Sequence, residues 1–527
     1  MAGMAFRLSR EREEGPVEYK SRLSGDDERC ERLATQMKYR LFEGGGEAIY
    51  VLGVGDDGTP VGLDPEGERE TLDTLRRVAE SIGAATRVLE RAEFQGRSVL
   101  RVLVRVSREE SPPVQVTIAV MGNVDAGKST TVGTLCTGEL DDGRGRGMRR
   151  VARYSHEIIT GRTSSVVVRL LGFDMEGKPV NWNLPNPLDE AQIYLASKKI
   201  VYFVDVGGHE RYLRTALRGV MSRLPDYVML VVAANSGLQV MGREHLGVSL
   251  ALRIPVFAVV TKVDLVDKSV LEATLIDTVE TLRRVDRKPV LVKSLSEVYR
   301  IVELMPSGRV VPVFLVSNTT GEGLELLTEF LNLLPPRKRW AENVDKPLLA
   351  YVSETYDVKG VGPVVAVSIE RGVIREGEDV YLGPLRDASW RRVRVKSIHI
   401  NRVVASSARA GEEATLALAG VDFDELEKGL VVSSKPLEAV WEVAAHIVVL
   451  RHPTTIRTGY QTVLHAHSIR SPVKFTYMSR EPMRTGDSGS VRLRFLNHPW
   501  YIEPGTRIIL RDSRTRAIGT VTSAYHS

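Results

Sequence analysis

Cysteine is nearly missing from this chain of 527 residues: Cys30 and Cys136 are the only two. Neither has a CxxC neighbour or a histidine at metal-ligand spacing, which excludes a disulfide framework and a cysteine-based zinc site. Both read as small buried hydrophobes in a reducing compartment. Long apolar runs are missing too. The most apolar stretches, Tyr227 to Ala234 and Pro255 to Val260, fall far short of the roughly 20 residues a membrane helix needs. The N-terminus MAGMAFRLSREREEG has no signal-peptide core, so a cytoplasmic protein with no membrane partner is expected. Charge of one sign is scarce: 72 Lys and Arg face 67 Asp and Glu, a net of +5. Such a balance permits nucleic-acid contact without requiring it. The excess is local, because Glu438 to Ser527 holds 12 Lys and Arg against 6 Asp and Glu.

What is present is an ordinary globular composition, 43% hydrophobic and 26% charged, in a length that accommodates three to four domains at about 150 residues each. Residues 1–112 mix strand-like runs (Ala48 to Val54, Ser98 to Val106) with helical stretches (Asp27 to Phe42, Glu70 to Ile82) and predict a small α+β domain. Residues 113–337 carry five β-branched runs, VQVTIAVMG, KIVYFVDVG, DYVMLVVAA, IPVFAVVTK and VVPVFLVSN, separated by helix-length segments. That alternation predicts a doubly wound parallel sheet. Pro335 and Pro336 end it. From residue 345 onward short alternating strands with Gly-rich turns predict two antiparallel β-barrels, 345–436 and 437–527.

The strongest motif is Gly122-Asn123-Val124-Asp125-Ala126-Gly127-Lys128-Ser129, followed by Thr130, a G-x(4)-G-K-S phosphate loop between a predicted strand and a predicted helix. Glycines let backbone N–H groups turn inward around phosphate oxygens at a helix N-terminus. Lys128 then neutralises the terminal phosphates, and the Ser129 hydroxyl ligates Mg²⁺. Base choice comes from Thr261-Lys262-Val263-Asp264, at the end of a predicted central strand. A carboxylate there accepts from the N1–H and 2-amino groups of guanine and repels the acceptor at N1 of adenine, so GTP is expected. Ser317-Asn318 closes the next strand, a place from which backbone amides meet the base carbonyl.

Between these lies Asp205-Val206-Gly207-Gly208-His209. Asp205 is placed to hold Mg²⁺ through water and Gly208 to donate from its backbone to the γ-phosphate. His209 is the candidate catalytic residue, orienting the attacking water. A mobile threonine reaching the metal only when γ-phosphate is present completes the set. Thr163 is the candidate, with Thr160, Ser164 and Ser165 beside it. Upstream, the Gly- and Arg-rich stretch Asp141 to Arg153 is expected to order on nucleotide or partner binding.

With these elements in order the chain resembles a translational GTPase of the elongation factor Tu and elongation factor 1-alpha class. Gly360-Val361-Gly362-Pro363-Val364, with Gly372 and Gly377, is similar to the opening of that class's second domain. His452 to Tyr460 and Gly505 to Asp512 resemble its third. Within the class, GNVDAGKS, Gly138 to Gly145, His156-Glu157 with GRTSSV, and Thr35 to Leu41 with Gly46 to Tyr50 resemble the GTP-binding protein one and two family. The resemblance implies a multidomain fold: an α+β N-terminal domain, an α/β P-loop GTPase domain and two C-terminal antiparallel β-barrels. It also implies a GTP-dependent switch acting with tRNA and the ribosome, Arg507, Arg511, Arg514 and Arg516 being candidates for RNA phosphates. A second reading is a nucleotide-gated adaptor in ribosome rescue or mRNA surveillance, recruiting partners through residues 1–112. Asn123 and Ala126 stand where the class carries His or similar, and Arg162 stands where an apolar residue precedes the switch threonine.

Overall fold

The computed structural model describes residues 11, 13–25, 27–107, 112–152, 167–205, 225–337, 340–512 and 515–525. Thr163, Gly208, His209 and Arg514 lie outside them. The described residues divide into two compact units, one of residues 11–205 and 226–337 and one of Pro225 with residues 340–525. None of the helices among the described residues is long and apolar enough to cross a membrane.

The first unit contains two sheets. Four strands, β1 (Val17–Lys20), β2 (Glu47–Leu52), β3 (Ala84–Phe94) and β4 (Arg97–Val106), lie in the order β1-β2-β4-β3. Their period of two sorts side chains to opposite faces. Ala48, Tyr50, Leu52, Leu100, Val102 and Val104 pack against Leu33, Met37 and Leu41 of helix Asp27–Glu43 and Leu75 and Val78 of helix Pro65–Ser81. Ile49, Val51, Val99 and Leu103 share the other core with Val116, Ile118 and Phe173 of the second sheet and Phe330 of helix Leu324–Leu333. The N-terminal layer therefore presents a buried face to the nucleotide-binding layer. Helix Pro65–Ser81 begins five residues before the stretch expected from Glu70, because its polar first turn carries no apolar periodicity. Asp64 caps it, accepting from the Gly67 amide at 2.6 Å, and Pro65 suits the first turn.

The second sheet has seven strands: β5 (Val114–Gly122), β6 (Val167–Phe173), β7 (Lys199–Asp205), β8 (Tyr227–Ala233), β9 (Val256–Thr261), β10 (Lys288–Leu291) and β11 (Val310–Val316). Their order is β10-β11-β9-β8-β5-β7-β6. The five expected runs are all here. The expectation of an all-parallel sheet needs correction at one edge, since β6 pairs with β7 antiparallel. Strand β5 has β7 on one side and β8 on the other. The chain thus reverses direction of winding at β5, and the crevice at its C-terminal end is where such sheets bind ligands. The long stretch between Asp264 and Ser317 forms helix Lys268–Arg284, edge strand β10 and helix Leu295–Val302.

The second unit holds two closed barrels. In the first, Leu349–Val358, Gly362–Arg371, Glu413–Ala419, Arg391–Ile400, Asp379–Gly383 and Val431–Ser433 pair in a ring. In the second, Glu442–Arg451, Ser488–Phe495, Ile469–Met478, Gln461–Ala466, Arg507–Arg511 and Arg516–Tyr525 close another. Closure removes sheet edges. Two sequence expectations fail here and above. Arg511 is 6% exposed: it lies on the face of its strand opposite the core residues Ile508 and Leu510 but is covered there, so it is no surface phosphate contact. Cys30 is only half-buried, 3.6 Å from an Arg77 nitrogen; Cys136 is buried as expected, and that burial pushes its thiol up to about 12.

Candidate nucleotide site

The phosphate loop leaves β5 at Gly122, whose φ is +148° and where a Cβ would lie 2.2 Å from the Val231 carbonyl oxygen. Only glycine lets β5 and β8 approach so closely. Gly127, at φ +87°, precedes helix Lys128–Thr137, so the loop runs directly into a helix N-terminus, the end of a helix that suits anions. Lys128 is buried and its ammonium donates to the Asn123 carbonyl at 2.5 Å. Burial holds its pKa below the ordinary lysine value against the pull of Asp205 and Asp125. Ser129 follows, and its hydroxyl donates to the Asp205 carboxylate at the end of β7. Phosphate loop and D-x-x-G strand thus converge on one point.

The base-side residues close the loop from β9 and β11. Thr261 donates through Oγ1 to the Ala126 carbonyl at 2.7 Å, and Lys262 through Nζ to the Asp125 carbonyl at 2.7 Å. Asp264 accepts from the Thr319 hydroxyl at 2.7 Å. Partial burial raises its pKa, but hydrogen bonds from Ser317 and Thr319 outweigh that effect and leave the carboxyl below its usual range. It is charged at neutral pH, as a base-pairing carboxylate requires. Ser317 donates its amide to the Glu322 carbonyl at 3.0 Å, while the Asn318 side-chain amide donates to Thr131 Oγ1 at 2.9 Å. Asn318 therefore ties the base side to the phosphate-loop helix.

Two residues outside every motif also hold the loop. Helix Val240–Ala251 offers the Gly242 amide to Asn123 Oδ1 at 2.6 Å, and His245 Nδ1 accepts from the Gly122 amide at 3.1 Å. The accepting Nδ1 leaves the proton of a neutral ring on Nε2. No spacing rule in the sequence links residue 245 to residue 122, so this brace was not legible. Within the Gly- and Arg-rich stretch, Asp141 accepts from the amides of Gly143, Gly145 and Gly147, and helix Arg146–Val151 follows.

The profile of the Elongation factor Tu GTP binding domain matches residues 114–336, and that of Elongation factor Tu domain 2 matches residues 362–433. GTP-binding protein 1 of Xenopus laevis is 40% identical over 515 residues, 96% of this chain and 78% of the relative. The chain belongs to the GTP-binding protein 1 and 2 family. Mouse GTP-binding protein 2 is likewise 40% identical, over 98% of this chain and 88% of its own length. A crystal structure of bacterial selenocysteine-specific elongation factor EF-Sec superposes with a TM-score of 0.54 at 21% identity, covering 77% of this chain and 58% of that one. This family member is a GTPase of the elongation factor Tu type.

Base selection gives a direct test. Asp264→Asn exchanges a two-acceptor carboxylate for an amide that matches the 2-carbonyl of xanthine. GTP affinity is expected to fall at least about tenfold, the value of one hydrogen bond to a charged group, while XTP affinity rises. Competition binding of GTP, XTP and ATP checks it, and an unchanged order of preference removes Asp264 from the base pocket.

Proposed function

We propose that this chain is a GTP-hydrolysing switch in translation that holds tRNA, in aminoacylated form, in its GTP state and releases it on the ribosome. Gly122 to Thr130, Asp205, Gly208, Thr261, Lys262, Asp264, Ser317 and Asn318 bind GTP in this reading. The contacting Ser129 hydroxyl and Asp205 carboxylate are hard oxygen donors of the type Mg²⁺ takes, with Asp205 acting through water and Thr163 joining in the GTP state. Bound there, the ion neutralises charge between the phosphates. Lys128 orients the terminal phosphates, and His209 positions water for in-line attack. Residues 1–112, 113–337, 345–436 and 437–527 act as N-terminal, GTPase, second and third domains.

The observation that carries the RNA part is a cavity of about 600 Å³ between the two barrels, with Arg386, Lys428 and Arg470 in its walls beside Ser471 and Trp500. Arg386 is ion-paired with Glu427, itself in the wall, and Lys428 with Glu354, which fixes two of the three cations in place and leaves the net positive charge to Arg470. Such a wall neutralises phosphates without reading sequence. The adaptor reading draws less support, because the N-terminal sheet spends one whole face on the GTPase core.

The test is binding of aminoacylated and uncharged tRNA with GTP, GDP and a non-hydrolysable analogue. Tight binding is expected only for aminoacylated tRNA in the GTP and analogue states. Equal affinity in all states overturns the carrier reading.

A further inference from the structure

We propose that the outer face of the C-terminal barrel carries a second, separate RNA surface: a stacking platform for single-stranded RNA built on Tyr477, Arg492 and Tyr525. The platform spans four neighbouring strands. Arg492 lies opposite Tyr477 in the register, and its guanidinium carbon sits 5.8 Å from the Tyr477 ring centre and 4.8 Å from that of Tyr525. Tyr477 is 52% exposed and the Arg492 side chain 49%, so each keeps an open face after their mutual contact.

Two features of the sheet set this group apart from an ordinary solvated surface. Regular alternation between Phe475 and Met478 would turn Tyr477 into the barrel, yet a bulge between Phe475 and Tyr477 leaves both Thr476 and Tyr477 outside. Bulges re-aim side chains in this way. Next along the face, Lys474 stands directly opposite Arg494, both exposed. Like charges in that position destabilise a sheet. Among the described residues paired in this part of the face the one carboxylate, Glu442, lies opposite Arg494 and is engaged by Thr476 Oγ1 at 3.1 Å and by Arg492 at 4.0 Å. Three cations against one carboxylate, interleaved with two aromatic rings, match a strand of phosphates whose bases lie flat on tyrosine. Unstacked bases are available in single strands and not in duplexes.

The experiment uses the full chain, a fluorescein-labelled oligouridylate of about twelve nucleotides, and anisotropy at two salt concentrations. Tyr477→Ala is expected to weaken binding about tenfold, and Tyr477→Phe to keep it, since stacking needs the ring and not the hydroxyl. Arg494→Gln with Lys474→Gln is expected to flatten the salt dependence by about 1.4 in log–log slope. GTP binding serves as the folding control and stays at the wild-type level in all three variants. Wild-type affinity in Tyr477→Ala overturns the proposal. So does equal affinity for a blunt RNA duplex, which would mean charge alone, or tighter binding of oligoglutamate, which would mean an acidic protein. Arg470→Glu in the inter-barrel cavity is expected to lower tRNA binding and spare the oligouridylate. Loss of both in that variant also overturns the separation of the two surfaces, while failure of tRNA binding alone leaves the platform standing.

Discussion

Lys128→Ala is expected to lower GTP affinity at least about 100-fold, because it removes two or more charge-assisted hydrogen bonds of about 1.5–3 kcal/mol each. The surroundings of Lys128 account for the size of that loss. Lys128 is buried under its own loop, with its ammonium on the Asn123 carbonyl and Asp205 and Asp125 near enough to favour its charge. Burial pushes the pKa down, which means that the charged form is under tension and gains most from an arriving polyphosphate. Lys262, on the far side of the loop, is committed to Asp125. Isothermal titration with a non-hydrolysable GTP analogue reads the effect. Lys128→Arg is expected to bind nearly as poorly, since a planar guanidinium does not fit a space shaped for a compact ammonium. Affinity within threefold of wild type in Lys128→Ala would mean that the phosphates lie elsewhere.

Parts of this arrangement were legible in sequence for a physical reason. Five strands of the nucleotide-binding sheet are buried on both faces, so they read as unbroken β-branched runs. The two that escaped notice are its edges. Strand β10 is only four residues, KPVL, with a proline that an edge tolerates. Strand β6, VVRLLGF, carries Arg169 and Gly172, which blur its pattern. The phosphate loop and TKVD are local motifs whose chemistry needs contiguous residues, so spacing alone exposed them. His245 and Gly242 reach the loop from 123 and 119 residues away, and Asn318 reaches Thr131 across 187. Contacts of that separation leave no periodic trace. The same holds for Tyr477, whose outward aim depends on a bulge.

The contact between the N-terminal and nucleotide-binding layers is the other place where one residue is decisive. Arg105 is fully buried and donates to Glu47 through Nε at 2.7 Å, to the Asn332 carbonyl at 3.1 Å and side chain at 2.9 Å, and to the Asp174 carbonyl at 3.1 Å. Glu47 also holds Lys199, whose ammonium donates to it at 2.6 Å and to the Leu334 carbonyl at 2.7 Å. Arg105→Ala removes the donor to four acceptors on three residues, so it is expected to cost the first unit about 3–5 kcal/mol. Lys199 adds a pH signature. Burial lowers its pKa to about 8 from 10.5, with Glu47 opposing and Arg105 reinforcing the shift. Between those values the unfolded chain holds a proton that the folded chain has lost, so this site's contribution to stability rises with pH across that window and is flat below it. Lys199→Met is expected to abolish the rise. Arg105→Ala, by removing a neighbouring positive charge, is expected to push the Lys199 pKa up and narrow the window. Urea unfolding of the full chain at stepped pH, followed by loss of GTP binding as the reporter of the first unit, measures both. Because Lys199 opens β7 and Asp205 closes it, a loosened interface is also expected to weaken GTP binding under native conditions. Wild-type stability and affinity in Arg105→Ala would mean that the shared apolar face alone holds the two layers together.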